Sequence, residues 1–103
     1  MKEIAPKIIK AAITRVIKRI QSGWTRGTWA RNKYGNQVEF NSQNACRWCA
    51  VGAMHASIKN NDIRGQVFKL VNKEAGGIML FNDLRATTKF DVIAVFKTVY
   101  DKL

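Results

Sequence analysis

From Pro6 to Gln21 the apolar residues Ile9, Ala12, Ile13, Val16, Ile17 and Ile20 recur every three or four positions. At about 100° per residue this spacing places them on one side of a helix. Pro6 suits a first-turn position, and Ser22-Gly23 supplies a stop. Lys7, Lys10, Arg15 and Lys18 fall on the opposite side, with no Glu four residues away to pair with them. The pattern predicts a basic amphipathic helix. A membrane-surface role is disfavoured, because its apolar side carries no Trp or Phe and is needed for the core.

The period then breaks. Residues 24–40 are polar and aromatic, and Thr28–Arg31 and Gln37–Phe40 read as short strands. Asn32-Lys33-Tyr34-Gly35 would form the turn between them, with Gly35 left-handed. Such a hairpin is marginal alone and has to lean on helices. A second helix is expected after Asn41-Ser42, either of which caps well, running to about Lys59. In it Cys46, Cys49, Ala50, Ala53 and Ala56 share a side open to close approach. Gly52 in the same stretch implies a backbone or ring packed against it.

Asn60-Asn61-Asp62 ends that helix and caps a third, striped by Ile63, Val67, Leu70 and Val71 and stopped by Gly76-Gly77. Ile78 to Asp83 reads as a loop, with Asn82-Asp83 organising an Asx-type turn. Thr88 and Asp91 approximate a capping box. The last helix would bury Val92, Ile93, Phe96, Val99, Tyr100 and Leu103. No internal repeat, low-complexity segment or linker interrupts the pattern. The predicted fold class is mainly α, a compact bundle of about four helices with a small β-hairpin between helices one and two. Residues 1–103 are expected to form a single helical domain.

Composition agrees with a globular chain. It is 47% hydrophobic and 24% charged, enough to bury a core. The longest apolar run, Ala50 to Met54, is too short to cross a bilayer, and the N-terminal apolar stretch is threaded with Lys and Arg, unlike a signal peptide. Two cysteines three residues apart suit reduced thiols rather than a disulfide scaffold. The expected location is cytoplasmic.

Charge is the more informative quantity. Eighteen Lys and Arg against seven Asp and Glu give a net +11. Between Lys7 and Val38 stand eight basic residues and no acidic one, whereas from Glu39 onward nine basic residues meet six acidic ones. A like-charged stretch repels itself unless a polyanion or an acidic surface offsets it.

Chemical motifs are sparse. Cys46-x-x-Cys49 lacks the second Cys pair of a zinc site, and the one histidine, His55, falls about 120° around the helix from Cys49. The redox form of the motif needs a βαβ context and an exposed first Cys at a helix start. Buried structural cysteines are the expectation, and no metal or cofactor is implied. A phosphate-binding Gly loop, a nucleophile elbow and paired carboxylates are all missing, so nothing argues for an enzyme. The segment Trp24, Arg26, Trp29, Arg31, Lys33, Tyr34 is more suggestive, since aromatics interleaved with cations can stack bases while the cations meet phosphates. At least one of Trp24 and Trp29 is expected to plug the end of helix one, with Arg31 and Lys33 facing solvent.

The order Gly23-Trp24, Gly27, Ala30-Arg31, Gly35, then Ala45-x-x-Trp48-Cys49-Ala50-x-Gly52-Ala53, then Asn82-Asp83 and a Thr-initiated last helix resembles an uncharacterised domain family of bacteria and their phages. The resemblance spans most of the chain, and its most specific part is Trp48-Cys49-Ala50-x-Gly52-Ala53. Members of that family often carry Trp where this chain has Phe81, and many are less basic. The +11 charge would then belong to this chain rather than to the fold. The resemblance implies a helical domain and a phage origin, and it carries over no catalytic residue.

The expected function is that of a small, non-catalytic, phage-type binding protein. It would engage nucleic acid or a ribonucleoprotein through Lys7, Lys10, Arg15 and Lys18 of helix one and Arg26, Arg31, Lys33 and Tyr34 of the 24–34 loop. The alternative is a phage-type inhibitor that blocks a host defence or nucleic-acid-processing protein through an acidic surface of that protein. No membrane partner is expected, and a phage-encoded chain would act in the host cytoplasm.

Overall fold

Helix α1, Pro6–Ser22, is the element around which the others pack, with α5 (Lys89–Lys102), α2 (Ala50–Ser57) and α3 (Asn61–Ala75) all against it. The computed structural model describes residues 3–103. Ile9, Ala12, Ile13, Val16 and Ile20 of α1 are buried, as the apolar stripe predicts. They meet Met54 and Ile58 from the second helix and its end, Val67 and Val71 from the third, and Val92 and Phe96 from the last, in one core cluster. The fold is mainly α with a small antiparallel pair of strands.

The caps of the third and last helices form where the sequence places them. Asn60 Oδ1 accepts the amide N–H groups of Asp62 and Ile63, and Gly76 closes α3 in the left-handed conformation at φ 67°. Thr88 and Asp91 form a reciprocal capping box at the start of α5.

The strands differ from expectation. The 32–36 turn closes through the Asn36 carbonyl, which accepts from Asn32 N–H at 2.9 Å, but the hairpin itself amounts to a single bridge between Arg31 and Gln37. The regular partner of β1 (Ala30–Arg31) is β2 (Arg47–Trp48), paired antiparallel as Ala30 with Trp48 and Arg31 with Arg47. Residues 43–49, expected to open the second helix, are therefore turn and strand. Long-range partners decide this: Trp48 N–H donates to the Gly23 carbonyl at 3.0 Å, its own carbonyl accepts from Thr25 at 3.2 Å, and its indole donates to the Phe40 carbonyl at 3.0 Å. A short apolar run is ambiguous between strand and helix until such partners are known. Ser42 organises a local turn, its hydroxyl accepting from Asn44 N–H at 3.1 Å, instead of capping a helix. The helix begins at Ala50 with Cys49 as its cap, Sγ accepting from Gly52 N–H at 3.3 Å.

The 78–85 segment is not the expected loop. A short helical turn, α4 (Ile78–Leu80), runs into a π turn over Phe81–Arg85, closed by Ala86 N–H on the Phe81 carbonyl at 2.8 Å.

Gly52 is needed for a reason visible here. The Trp29 carbonyl, which accepts from Cys49 N–H at 3.1 Å, lies against the start of α2, and a Cβ on Gly52 would overlap its oxygen. Gly65, within α3 and exposed, has open space where a Cβ would go. Gly52→Ala should therefore destabilise the protein by about 1–3 kcal/mol, because a backbone carbonyl yields less readily than a side chain. Gly65→Ala should stabilise it by about 0.5–1 kcal/mol through helix propensity. Urea unfolding of the two variants checks both signs.

Candidate nucleic-acid interface

The four cations expected on the outer side of α1 divide into two groups. Lys7 and Lys18 stand exposed. Lys10 leans over the Tyr100 ring, its ammonium 5.2 Å from the centroid. Arg15 turns the other way, Nε donating to the Ser57 carbonyl at 3.2 Å. On the 24–34 loop, Lys33 and Tyr34 are exposed at the hairpin tip, with Nζ 5.1 Å from the ring centroid. Arg26 lies over the Trp24 ring at 5.2 Å and donates to the Thr87 carbonyl at 3.2 Å.

Arg31 does not face solvent as expected. Its guanidinium is half-buried and donates to Thr25 Oγ1 at 2.8 Å, the Gly35 carbonyl at 3.0 Å and the Arg26 carbonyl at 3.1 Å. Loop acceptors converge on it from three directions, so its role is to hold the loop closed. Of the eight expected residues, Arg31 is therefore turned into the loop and Lys10 is half-buried against Tyr100. Lys7, Arg15 and Lys18 of α1, Arg26 of the loop, and Lys33 and Tyr34 of the hairpin tip are exposed.

A tighter cationic arrangement lies in a cleft of about 530 Å³ between α1 and the end of α2, lined by Arg15, Lys18, Arg19, Ser22, Ala56, Ser57 and Lys59. Arg19 donates from Nε to Ser57 Oγ at 2.7 Å, and its guanidinium carbon sits 4.7 Å from the Trp48 ring centroid. Sequence reasoning passed over Arg19, Ser57 and Lys59. Arg15 and Arg19 one helical turn apart was the legible signal; Lys59 had none.

The loop aromatics have structural partners. Trp24 is half-buried and its indole donates to Asn82 Oδ1 at 2.8 Å, which makes it the plug at the end of α1. The same oxygen accepts from Ala50 N–H at 2.9 Å, while Asn82 Nδ2 donates to the Thr25 carbonyl at 3.2 Å and to Asp83 Oδ1 at 2.9 Å. Asp83 Oδ1 also accepts from Gly27 N–H at 3.0 Å. Trp29 stacks on His55 with centroids 4.7 Å apart, and Phe40 closes the trio at 5.8 Å from Trp29 and 5.3 Å from His55.

The family of unknown function DUF6197 matches residues 3–102. The chain belongs to it. No curated protein and no solved structure matches. In this DUF6197 chain the residues Gly23-Trp24, Trp48-Cys49-Ala50-x-Gly52 and Asn82-Asp83 meet at one junction, where the loop after α1, the start of α2 and the π turn are bonded together.

Among the described residues no cluster of three or more His, Cys, Asp or Glu could hold a metal ion, and no helix is long and apolar enough to cross a membrane. Both cysteines are free, Cys46 half-buried and Cys49 buried. Burial pushes the Cys49 thiol above its ordinary value, while amide donors from Gly52 and Val51 pull it partly back. Native labelling by a thiol reagent should therefore be slow at Cys49 and faster at Cys46, with both fast in denaturant. Prompt native modification of Cys49 would contradict this.

Burial holds the His55 imidazole below its ordinary value, and the nearby Arg64 charge adds to the effect. The folded protein thus takes up its proton at lower pH than the unfolded chain does. This contribution to stability is therefore intact above about pH 6.5 and is eroded as pH falls below it. Imidazolium also quenches a stacked indole. Tryptophan fluorescence should drop with a midpoint under about pH 6.5, and His55→Phe, which keeps a ring against Trp29, should abolish the step.

Proposed function

We propose that this protein is a non-catalytic module that binds the phosphate backbone of nucleic acid through the exposed cations of α1 and of the 24–34 loop. The charge accounting supports this reading. The net charge is +11, and among the described residues one ion pair, Lys102 with Glu74 at 2.7 Å, is present. Six of the seven arginines are held instead by uncharged groups. Arg15, Arg26, Arg31, Arg64 and Arg85 donate to main-chain carbonyls. Those bonds satisfy the guanidinium geometry and leave the charge uncompensated, so the protein's field stays positive and is available to a polyanion. The setting we assign is the cytoplasm of a bacterial host, with a phage as the source. Two free thiols suit a reducing compartment.

A second reading, an inhibitor of a host protein, is favoured by one observation. Met79, Leu80, Leu84 and Phe90 are between 51% and 75% exposed. Apolar side chains crowded into one stretch of chain suit a protein partner better than a phosphate backbone.

Binding to a random-sequence oligonucleotide should weaken with salt at a log–log slope of about 0.7 to 0.9 per phosphate neutralised. Replacing Lys7, Lys18 and Lys33 together by Gln should lower the affinity and shrink that slope by up to about three such units. The folded state should be as stable as the wild type or more so. If the triple variant binds with unchanged affinity and slope, the proposal fails. If instead a host protein is retained from nuclease-treated lysate while oligonucleotide binding is weak, the inhibitor reading replaces it.

A further inference from the structure

We propose that the cleft between α1 and the last turn of α2 is a phosphate seat, with Arg15 and Arg19 as oriented donors and Lys18 and Lys59 as flanking charges. This deepens the nucleic-acid reading, on which it rests for its natural ligand, by naming where one backbone phosphate sits.

Both arginines are oriented in advance. Arg15 and Arg19 are one turn apart on α1, and both spend Nε on the same residue: Arg15 on the Ser57 carbonyl at 3.2 Å, Arg19 on the Ser57 hydroxyl at 2.7 Å. Arg19 is further fixed by the Trp48 ring, 4.7 Å from its guanidinium carbon. An arginine tethered through Nε keeps its two terminal amino groups as donors, and among the described residues neither side chain gives these to a protein acceptor. Less rotamer freedom is then lost when a ligand arrives.

Charge points the same way. Of the residues lining the cleft, Arg15, Lys18, Arg19 and Lys59 are cationic and none is acidic. The main opposing influence is the carbonyl end of α2, which disfavours an anion. The Ser57 carbonyl, the last of that helix, is already covered by Arg15.

Shape selects the class of anion. Cations approach from α1 on one wall and from Lys59, just past α2, on the other. A planar carboxylate is satisfied by a single guanidinium fork. A tetrahedral phosphate presents oxygens to several walls at once, and arginine forks flanked by lysine point charges match it. At about 530 Å³ the open cleft also leaves room for the sugars on either side of a phosphodiester.

The test separates a free phosphate from one in a chain. Arginine Nε–H signals are followed by two-dimensional NMR while inorganic phosphate, and separately a short oligo-thymidylate, is added to the full-length protein. Phosphate should shift Arg15, Arg19 and the Ser57 amide together in one saturable step, and oligo-thymidylate should move the same signals. Arg19→Lys keeps the net charge and removes the fork, so phosphate affinity should fall at least about fivefold while the salt slope for oligo-thymidylate is unchanged. Ser57→Ala keeps every charge and frees Arg19 Nε, so it should weaken phosphate about two- to threefold. Shifts spread evenly over the basic residues would overturn the seat, as would wild-type phosphate affinity in both variants. If oligo-thymidylate binds without moving the cleft signals, the seat falls and the nucleic-acid reading stands. If phosphate seats in the cleft but oligo-thymidylate does not bind, the seat stands and the nucleic-acid reading falls.

Discussion

The side-chain amide of Asn82 anchors the loop after α1, the start of α2 and the π turn to one another. An amide can accept twice and donate twice, and here all four capacities are used: Trp24 and Ala50 donate to it, and Thr25 and Asp83 accept from it. The residue is 1% exposed. A buried amide left half-satisfied costs about 1–3 kcal/mol per missing partner, so completeness is what makes a polar group tolerable there. The bonds also fix three pieces of chain that are distant in sequence. They seat the plug at the end of α1, satisfy the first free N–H of α2, and hold the π turn against both. With Cys49 Sγ taking the Gly52 amide, the start of α2 has these donors met without a Ser, Thr, Asp or Asn cap.

A second constraint is the shortage of carboxylates. A chain with seven acids and eighteen bases cannot pair its charges internally, and this one uses helix ends and loop carbonyls instead. Arg85 covers the Ala75 and Gly76 carbonyls at the end of α3, and Arg15 covers Ser57 at the end of α2. Such bonds place a cation at the negative end of a helix, which favours the fold. They order the guanidinium groups without neutralising them. Structural use and external availability of the same positive charge are therefore compatible in this protein.

Legibility in the sequence tracks the range of the interactions. Helices α1, α3 and α5 were legible because each apolar stripe, with the cap or stop signal that bounds it, lies within a few residues. Gly52 was legible for a subtler reason, since glycine inside an apolar helical run signals a neighbour too close for a Cβ. Residues 43–49 misled because the partners that extend them, Gly23, Arg31 and Phe40, are distant in sequence or reached only by folding back. Asn82-Asp83 looked like a local turn for the same reason, with partners at Trp24, Thr25 and Gly27 far up the chain. At the candidate site, exposure of Lys7, Lys18 and Lys33 was readable from pattern. The inward turn of Arg31 and the arrival of Lys59 beside Arg19 depend on tertiary placement, which no local pattern encodes.

The π turn over Phe81–Arg85 sets a limit on changes in chain length. A π turn accommodates one residue more than the ordinary helical pitch, and here the extra residue turns Asn82 inward while Leu84 points out. Losing any one residue of this stretch lets the turn relax to normal pitch, swinging the downstream chain by about 100° relative to the upstream chain. Asn82 and the entry to α5 could not then both keep their places. The hairpin tip around Lys33 and Tyr34 is exposed and bonded mainly to itself. Residues can be gained or lost there with little disturbance to the core. The fold counts residues strictly at the π turn and is indifferent to their number at the tip.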